Sequence, residues 1–393
     1  MVLFIHTADW HIGKKNKQLG EVAKKVRDQR LKTGEEIIEK AEKEEVDFII
    51  ISGDLFEDNT VDRDTVEEVI DILSGDINTY ILPGNHDPLK EGSVYYYEGW
   101  ESKENIHIFK DEKPLKHNDH VKLFPCPIKQ KKSNSDPTSC IPDSVEDDCI
   151  RIGIAHGTLD IGISDNPNFP INKNRAKETN LDYLALGEWH SWNTFEDDID
   201  VENTVYPSSP EPTKKDDRDP GNIALVEIQD SEVKIEKEKV SSLKWADWTQ
   251  EITDSESVDD LERKISDLEN PEKTILSIDV NGVVSPDAYN SIENLEENED
   301  ILSLKIRREN LFIEPDLEEM VGVVPPEFRE IIEDLTAIMS KDPEMIEHIN
   351  KDPSELKERI KDIDERNLDI NNDPELAKNA LSIIYRYSKE VER

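Results

Sequence analysis

Through the first 230 residues the chain repeats one pattern: an apolar run of strand length, then a turn rich in Asp, His, Gly or Asn. VLFIH (2–6) leads to Asp9-Trp10-His11, and DFIII (47–51) leads to Ser52-Gly53-Asp54. TYILP (79–83) leads to Gly84-Asn85-His86-Asp87. RIGIA (151–155) leads to His156-Gly157, and YLAL (183–186) to Gly187-Glu188-Trp189-His190. Between the first two runs, Val22, Val26, Leu31, Ile37, Ile38 and Ala41 recur at helical spacing, and 61–73 reads likewise. Strands alternating with helices predict α/β layering with buried sheets. Ligands of open α/β sheets bind beyond the carboxyl ends of strands, and all five polar clusters sit at such ends.

The pattern weakens over 111–150, where Pro, Ser, Asp and Lys dominate 128–148 and predict an irregular surface insertion. GNIALVEIQD and SEVKIEKEKV, near 221–239, read as a hairpin closing the first domain. Within 240–313 the spacing predicts a helix (258–268), a strand (274–280), a helix (286–296) and a strand (301–307), enough for a small α/β domain. After Pro325-Pro326 the segments are charged and helical; the last, 374–391, aligns Leu376, Ala380, Ile384, Tyr387 and Val391 on one face. The expected domains are 1–235, 236–315 and 316–393, with no internal repeat.

Composition narrows the class. No stretch approaches the roughly 18–20 apolar residues of a membrane span. The opening MVLFIHTADW lacks the basic start of a signal peptide. Cys126, Cys140 and Cys149 are an odd number without zinc-site spacing, so a cytoplasmic, thiol-reduced protein is expected. Lys and Arg total 48 against 91 Asp and Glu, a formal charge of -43. Acids spread over most of the chain favour a generally acidic surface, suited to concentrated salt, over one basic partner. Residues 1–45 are the exception, near neutrality, with Lys14, Lys15, Lys17, Lys24, Lys25, Arg27 and Arg30 close in sequence.

Taken alone the motifs are unequal: an Asp-x-His triplet arises by chance about once in so acidic a chain, whereas Gly-Asn-His-Asp rarely does. Together, Asp9, His11, Asp54, Asn85, His86, His156 and His190 all follow strand ends in an order compatible with one shared edge. Carboxylates, imidazoles and an amide oxygen without cysteine suit Mn²⁺, Fe²⁺ or Zn²⁺, and more than four such ligands point to two metals. Two metals about 3.5–4 Å apart suit phosphoester hydrolysis.

The series Asp9-x-His11, Gly53-Asp54, Gly84-Asn85-His86-Asp87, His156-Gly157 and Gly187-x-x-His190 resembles the calcineurin-like metallophosphoesterase superfamily. Within it, FIHTADWHIGKK, ISGDLFEDN and YPSSPEPT (206–213) resemble the SbcD-type nuclease subunits of double-strand-break repair complexes. The resemblance implies a layered β-sandwich flanked by helices over about 1–230, then a small α/β capping domain and a helical tail that binds an SMC-like ATPase. It implies Asp9, His11, Asp54 and His190 on one divalent metal. Asp54 would be shared with a second, held also by Asn85, His156 and Glu188; Mn²⁺ is expected, with Mg²⁺, Fe²⁺ and Zn²⁺ as alternatives. His86 would protonate the leaving oxygen or stabilise the transition state, with Asp87 orienting its imidazole.

Two positions depart from that family: Glu188 stands where a histidine is usual, and Glu57 where many members carry the histidine tied to exonuclease action. Glu188 remains a competent ligand or else faces solvent; Glu57 leaves the balance of exonuclease and endonuclease action open. The expected function is metal-dependent DNA cleavage in break repair, with Lys14, Lys15 and Lys17 contacting phosphates, no membrane partner and a homodimer left open. The alternatives are another dinuclear phosphoesterase acting on nucleotides or phosphoproteins, and a catalytically weakened scaffold.

Overall fold

The computed structural model describes residues 1–142, 149–162, 166–195, 201–296, 298 and 300–314, together with 331, 332, 335 and 380. Two compact units divide the chain, Met1–Trp245 and Ala246–Arg393. In the first, β1 (Val2–Thr7), α1 (Ala23–Lys43), β2 (Phe48–Ser52), α2 (Arg63–Ile72), β3 (Asn78–Leu82) and β4 (Ile106–Ile108) follow the expected alternation. β5 (Leu115–Lys116), β6 (Val121–Pro125), β7 (Ile150–His156), β8 (Leu159–Asp160) and β9 (Ile171–Asn172) come next. Then come α3 (Arg175–Glu178), β10 (Tyr183–Gly187), β11 (Thr204–Val205), β12 (Asn222–Gln229) and β13 (Glu232–Lys239).

The strands form two sheets, ordered β13-β12-β1-β2-β3-β4 and β11-β10-β7-β6-β5, beside a small β8-β9 pair. β1 through β4 run parallel, and the β12–β13 hairpin adds antiparallel to β1. The sheets stack face to face because alternate residues on both are apolar. Phe4, Phe48, Ile50, Tyr80 and Leu82 of one meet Leu123, Ile152, Ile154, Tyr183 and Ala185 of the other in a common core. The residues between them face outward yet are also buried: Ile5, Ile49, Ile51 and Ile81 pack against Ile37 and Ala41 of α1 and Val66, Val69 and Ile70 of α2. Leu184, Leu186 and Ala155 build a third core with Ala176 of α3. Burial on both faces is why these strands read as continuous apolar runs. The first unit is thus the expected layered sandwich flanked by helices.

Two differences from the sequence reading have local causes. β6 lies within 111–150, where the pattern weakens, but ahead of the 128–148 insertion; its five residues carry little periodicity and are fixed by parallel pairing with β7 from Val121 to Pro125. In the second unit, β14 (Lys244–Glu251) precedes α4 (Ser255–Ser266), β15 (Thr274–Val284), α5 (Pro286–Leu295) and β16 (Ser303–Ile313), and the sheet order is β14-β15-β16. β14 escaped notice because only Ala246 and Trp248 of its mixed sequence pack on the unit's core. The C-terminal stripe from Leu376 to Val391 lies outside the described residues apart from Ala380.

His6 sits between the sheets with no exposure, its Nδ1 2.9 Å from Tyr183 Oη and its Nε2 2.8 Å from Ser52 Oγ. Burial pushes its pKa down to about 3, so the folded ring stays neutral where an unfolded histidine, near 6.5, takes up a proton. Stability contributed here is full above pH 6.5 and falls as pH drops toward 3. His6→Gln removes that dependence. Urea midpoints between pH 6.5 and 5.5 should show the wild type losing up to about 1.4 kcal/mol per pH unit more than the variant.

Candidate metal centre

The site lies where the strands end. Asp9 and His11 follow β1, Asp54 follows β2, Asn85 and His86 follow β3, and Glu188 and His190 follow β10, while His156 closes β7. Asp9, His11, Asp54 and Glu188 hold φ of 56°, 48°, 52° and 109°, left-handed values that non-glycine residues seldom adopt. Such strain persists where the surroundings over-determine it, and here it turns side chains inward from abruptly ended strands. Two glycines leave the necessary space. A Cβ on Gly53, itself at φ 101°, would meet His156 Nδ1 at 2.0 Å, and one on Gly84 would meet Asp54 Oδ1 at 2.2 Å.

All seven expected ligand residues converge. His11 Nε2 and His190 Nε2 face each other at 3.0 Å, with Asp54 Oδ2 3.9 Å from the first and Asp9 Oδ1 4.0 Å from the second. His156 Nε2 lies 3.3 Å from Asp54 Oδ2 and 3.1 Å from Glu188 Oε2. Asn85 donates its amide to Glu188 Oε2, and Glu188 N–H reaches both Asp9 oxygens at 3.2 Å. Glu188 therefore turns into the site rather than out to solvent. Asp9, His11 and His190 form one group able to hold a cation, and Asp9, Asp54 and His156 another. His156 Nε2 is buried without a hydrogen bond, and two imidazole nitrogens aimed at each other also call for a shared ion. The donors, oxygen and nitrogen without sulfur, fit a divalent metal.

Electrostatics separate the carboxylates. Burial pushes Asp9 up to about 7, against the pull of His190 and His156. Burial would also raise Asp54, but His156, His11 and His86 hold it well below the ordinary carboxylate range. His156 is correspondingly raised despite its burial, chiefly by Asp54 and then Glu188.

Supporting groups fix the imidazoles. His156 Nδ1 donates to Ser52 O at 3.0 Å, and His190 Nδ1 meets Thr213 Oγ1 at 2.6 Å with Asp217 Oδ1 3.6 Å away. His11 Nδ1 donates to Glu57 Oε2 at 2.9 Å. The sequence gives no role to Thr213, although it ends the YPSSPEPT segment, or to Asp217, one more aspartate in so acidic a chain. Two expectations, on Asp87 and Arg30, are corrected. Asp87 does not orient His86: its carboxylate accepts from Gly84 N, Phe56 N and Tyr95 Oη at 2.7, 2.9 and 2.6 Å, bracing the loop, and the Glu57 carbonyl takes His86 Nδ1 at 2.9 Å. Lys14 is held by Glu57 at 3.2 Å, whereas Lys15, Lys17 and Arg27 line an open cleft of about 630 Å³. Arg30 leaves the basic cluster altogether, buried and bonded to the carbonyls of Trp10, Glu211 and Pro212.

A double sheet gathering acids and imidazoles at its strand ends defines a metal-dependent hydrolase. The family model for the calcineurin-like phosphoesterases matches residues 2–235, and the chain belongs to that family, whose members hydrolyse phosphoesters with divalent metals. It is 21% identical over 279 residues to the uncharacterized metallophosphoesterase YhaO of Bacillus subtilis (strain 168), a match spanning 67% of this chain and 66% of that protein. Among solved structures it is similar to TT1561 of Thermus thermophilus, with 11% identity and a TM-score of 0.39 over 61% of this chain and 99% of that one. The calcineurin-like phosphoesterase YfkN from Bacillus subtilis gives 13% identity and a TM-score of 0.35 over 61% of this chain and 90% of that one. No described helix is long and apolar enough to cross a membrane.

Metal must displace protons from the raised Asp9 and His156, so affinity falls as pH drops through 7. Calorimetric titration of chelator-treated protein with Mn²⁺ should show about a tenfold loss of affinity or more from pH 7 to 6. Saturating metal should raise the melting temperature, by about 2.7 kcal/mol of stabilisation at a hundredfold excess over Kd. Glu188→Ala should shrink both effects; a Glu188 without contact to metal would leave them unchanged.

Proposed function

We propose that the chain is a two-metal DNA phosphodiesterase of the SbcD type, cutting DNA in double-strand-break repair. The observation that carries this reading is the convergence of Asp9, His11, Asp54, Asn85, His156, Glu188 and His190 on one site, backed by the YPSSPEPT segment. That segment, which carries the subfamily resemblance, supports the site directly. Tyr206 Oη donates to Gly157 O at 2.6 Å beside His156, and Thr213 holds His190. Glu211 accepts from Thr33 Oγ1 at 2.7 Å and from Ser242 N and Leu243 N at 2.8 and 3.0 Å.

In this reading Asp9, His11, Asp54 and His190 would hold one divalent cation, and Asp54, Asn85, His156 and Glu188 would hold a second. Bound there, the pair would neutralise a phosphodiester and lower the pKa of water toward neutrality. The residues around it divide the remaining tasks. His86 stands next to the ligands, its ring 4.8 Å from that of His11, and the Glu57 carbonyl fixes a proton on Nδ1. Nε2 is then the atom that exchanges a proton with the leaving oxygen. Glu57 keeps the His11 ring at its angle, and Asp87 keeps the His86 loop in place.

A chain of charge -43 repels a polyanion, so contacts depend on the few cations near the centre. Lys15 and Lys17 serve this role in the cleft they line with Glu57, and Lys14 contributes once its pairing with Glu57 is exchanged for phosphate. The C-terminal residues 370–393 would dock on the coiled-coil base of an SMC-like ATPase, which co-purification with and without them tests.

Mn²⁺-dependent digestion of linear and hairpin DNA, at low and molar salt, tests the main reading. DNA degradation is expected; turnover of cyclic nucleotides or phosphopeptides with none of DNA would assign the site to another phosphoesterase. His86→Asn should lower the rate about 10²–10⁴-fold with Mn²⁺ binding retained. Replacing Lys14, Lys15 and Lys17 with Ala should weaken DNA binding alike across sequences and flatten its salt dependence, and unchanged affinity would remove their role.

A further inference from the structure

Away from the metal centre, the sulfurs of Cys126 and Cys140 lie 3.3 Å apart. Cys126 directly follows β6, is 1% exposed among Phe124, Ile141 and Ala155, and donates its N–H to Ile154 O of β7 at 2.9 Å. Cys140 ends the single 3₁₀ turn Pro137–Cys140 and is only partly buried. Burial pushes the Cys126 thiol well up, while the hydrogen-bonded contact between the two sulfurs holds the Cys140 thiol below its ordinary value. Cys149 stands apart, its sulfur against Asp119 O at 3.4 Å.

We propose that Cys126 and Cys140 form a peroxide-reactive dithiol that closes to a disulfide, a modification site separate from the phosphoesterase centre. Cys140 meets the oxidant because it reaches solvent. Its thiolate attacks one peroxide oxygen, the S–O bond forms as O–O breaks, and the departing hydroxide leaves as water with a proton from the medium. Cys126, deprotonating as it attacks, then forms the S–S bond at the Cys140 sulfur, and the S–O bond breaks to release a second water. Two thiols and one hydrogen peroxide give one disulfide and two waters, with two electrons passing from sulfur to peroxide. The sulfurs must close from 3.3 Å to about 2.05 Å. Cys140 makes that movement, since Cys126 is fixed by the sheet.

The bond closes the base of segment 127–139, which borders the catalytic loop. Ile128 N donates to Pro83 O at 3.3 Å and Leu89 N to Ile128 O at 2.8 Å, so this segment braces both ends of the stretch bearing Asn85, His86 and Asp87. Oxidation therefore pins a surface segment carrying Lys129, Lys131 and Lys132 beside the site.

Reduced full-length protein treated with stoichiometric hydrogen peroxide, then denatured, alkylated and mapped by mass spectrometry, tests the proposal. Of the three cysteines only Cys149 should be alkylated, with two hydrogens lost and dithiothreitol restoring all three. Cys149→Ala should still form the bond, and Cys140→Ser should leave Cys126 alkylated. Tryptic cleavage after Lys129, Lys131 and Lys132 should slow severalfold in the oxidised protein. Three alkylated cysteines, a sulfinic Cys140 beside a free Cys126, a bond between two chains, or unchanged cleavage would each overturn it.

Discussion

Acids and imidazoles buried side by side govern this molecule: Asp54, 2% exposed, lies against a fully buried His156. Neither tolerates burial alone, since an unpaired charge in a low-dielectric interior costs several kcal/mol. Each shifts the other, the carboxyl downward and the imidazole upward, and burial leaves Asp9 beside them with a raised pKa. The sandwich exists in a form that imposes this proximity. Two sheets share a dense apolar core, and that core holds the ends of β1, β2, β7 and β10 against one another. Left-handed turns after β1 and β2 then spend conformational energy to aim carboxylates and imidazoles inward.

Rigidity at the centre comes from an outer ring of ordinary groups. The Ser52 carbonyl, Thr213, Glu57 and the Asp87–Tyr95 pair each fix one ring or one loop, so the functional side chains have little freedom to reorganise. Glu57 has a double part, since its side chain holds His11 and its backbone holds His86. Glu57 also ties Lys14 to the same network. Glu188 is likewise absorbed into the cage through Asn85 and His156.

The charge of -43 and the centre work on different scales. Salt screens the surface within about 3 Å at 1 M, while buried pairs are screened far less. An acidic exterior can therefore coexist with a buried site whose electrostatics are set by its own neighbours. The two thiols show a similar contrast, a buried sulfur lying 3.3 Å from a partly buried one.

Apolar runs and their terminal polar clusters were legible from the sequence because both are local: strand pattern needs only neighbours, and Gly-Asn-His-Asp is rare enough to stand alone. The location of the ligands at strand ends followed from that pattern, and so did α1, α2 and the closing hairpin. β6 and β14 were hidden, their few apolar residues acquiring meaning only when paired or packed. Nor could the sequence tell that Asp87 braces a loop, that Arg30 is buried, or that Thr213 and Asp217 secure His190. Residue types and their order along the chain determined what chemistry was available. Which side chain touches which, across separations of more than 100 residues, was decided by packing, because hydrogen bonds and buried charges select partners by distance in space.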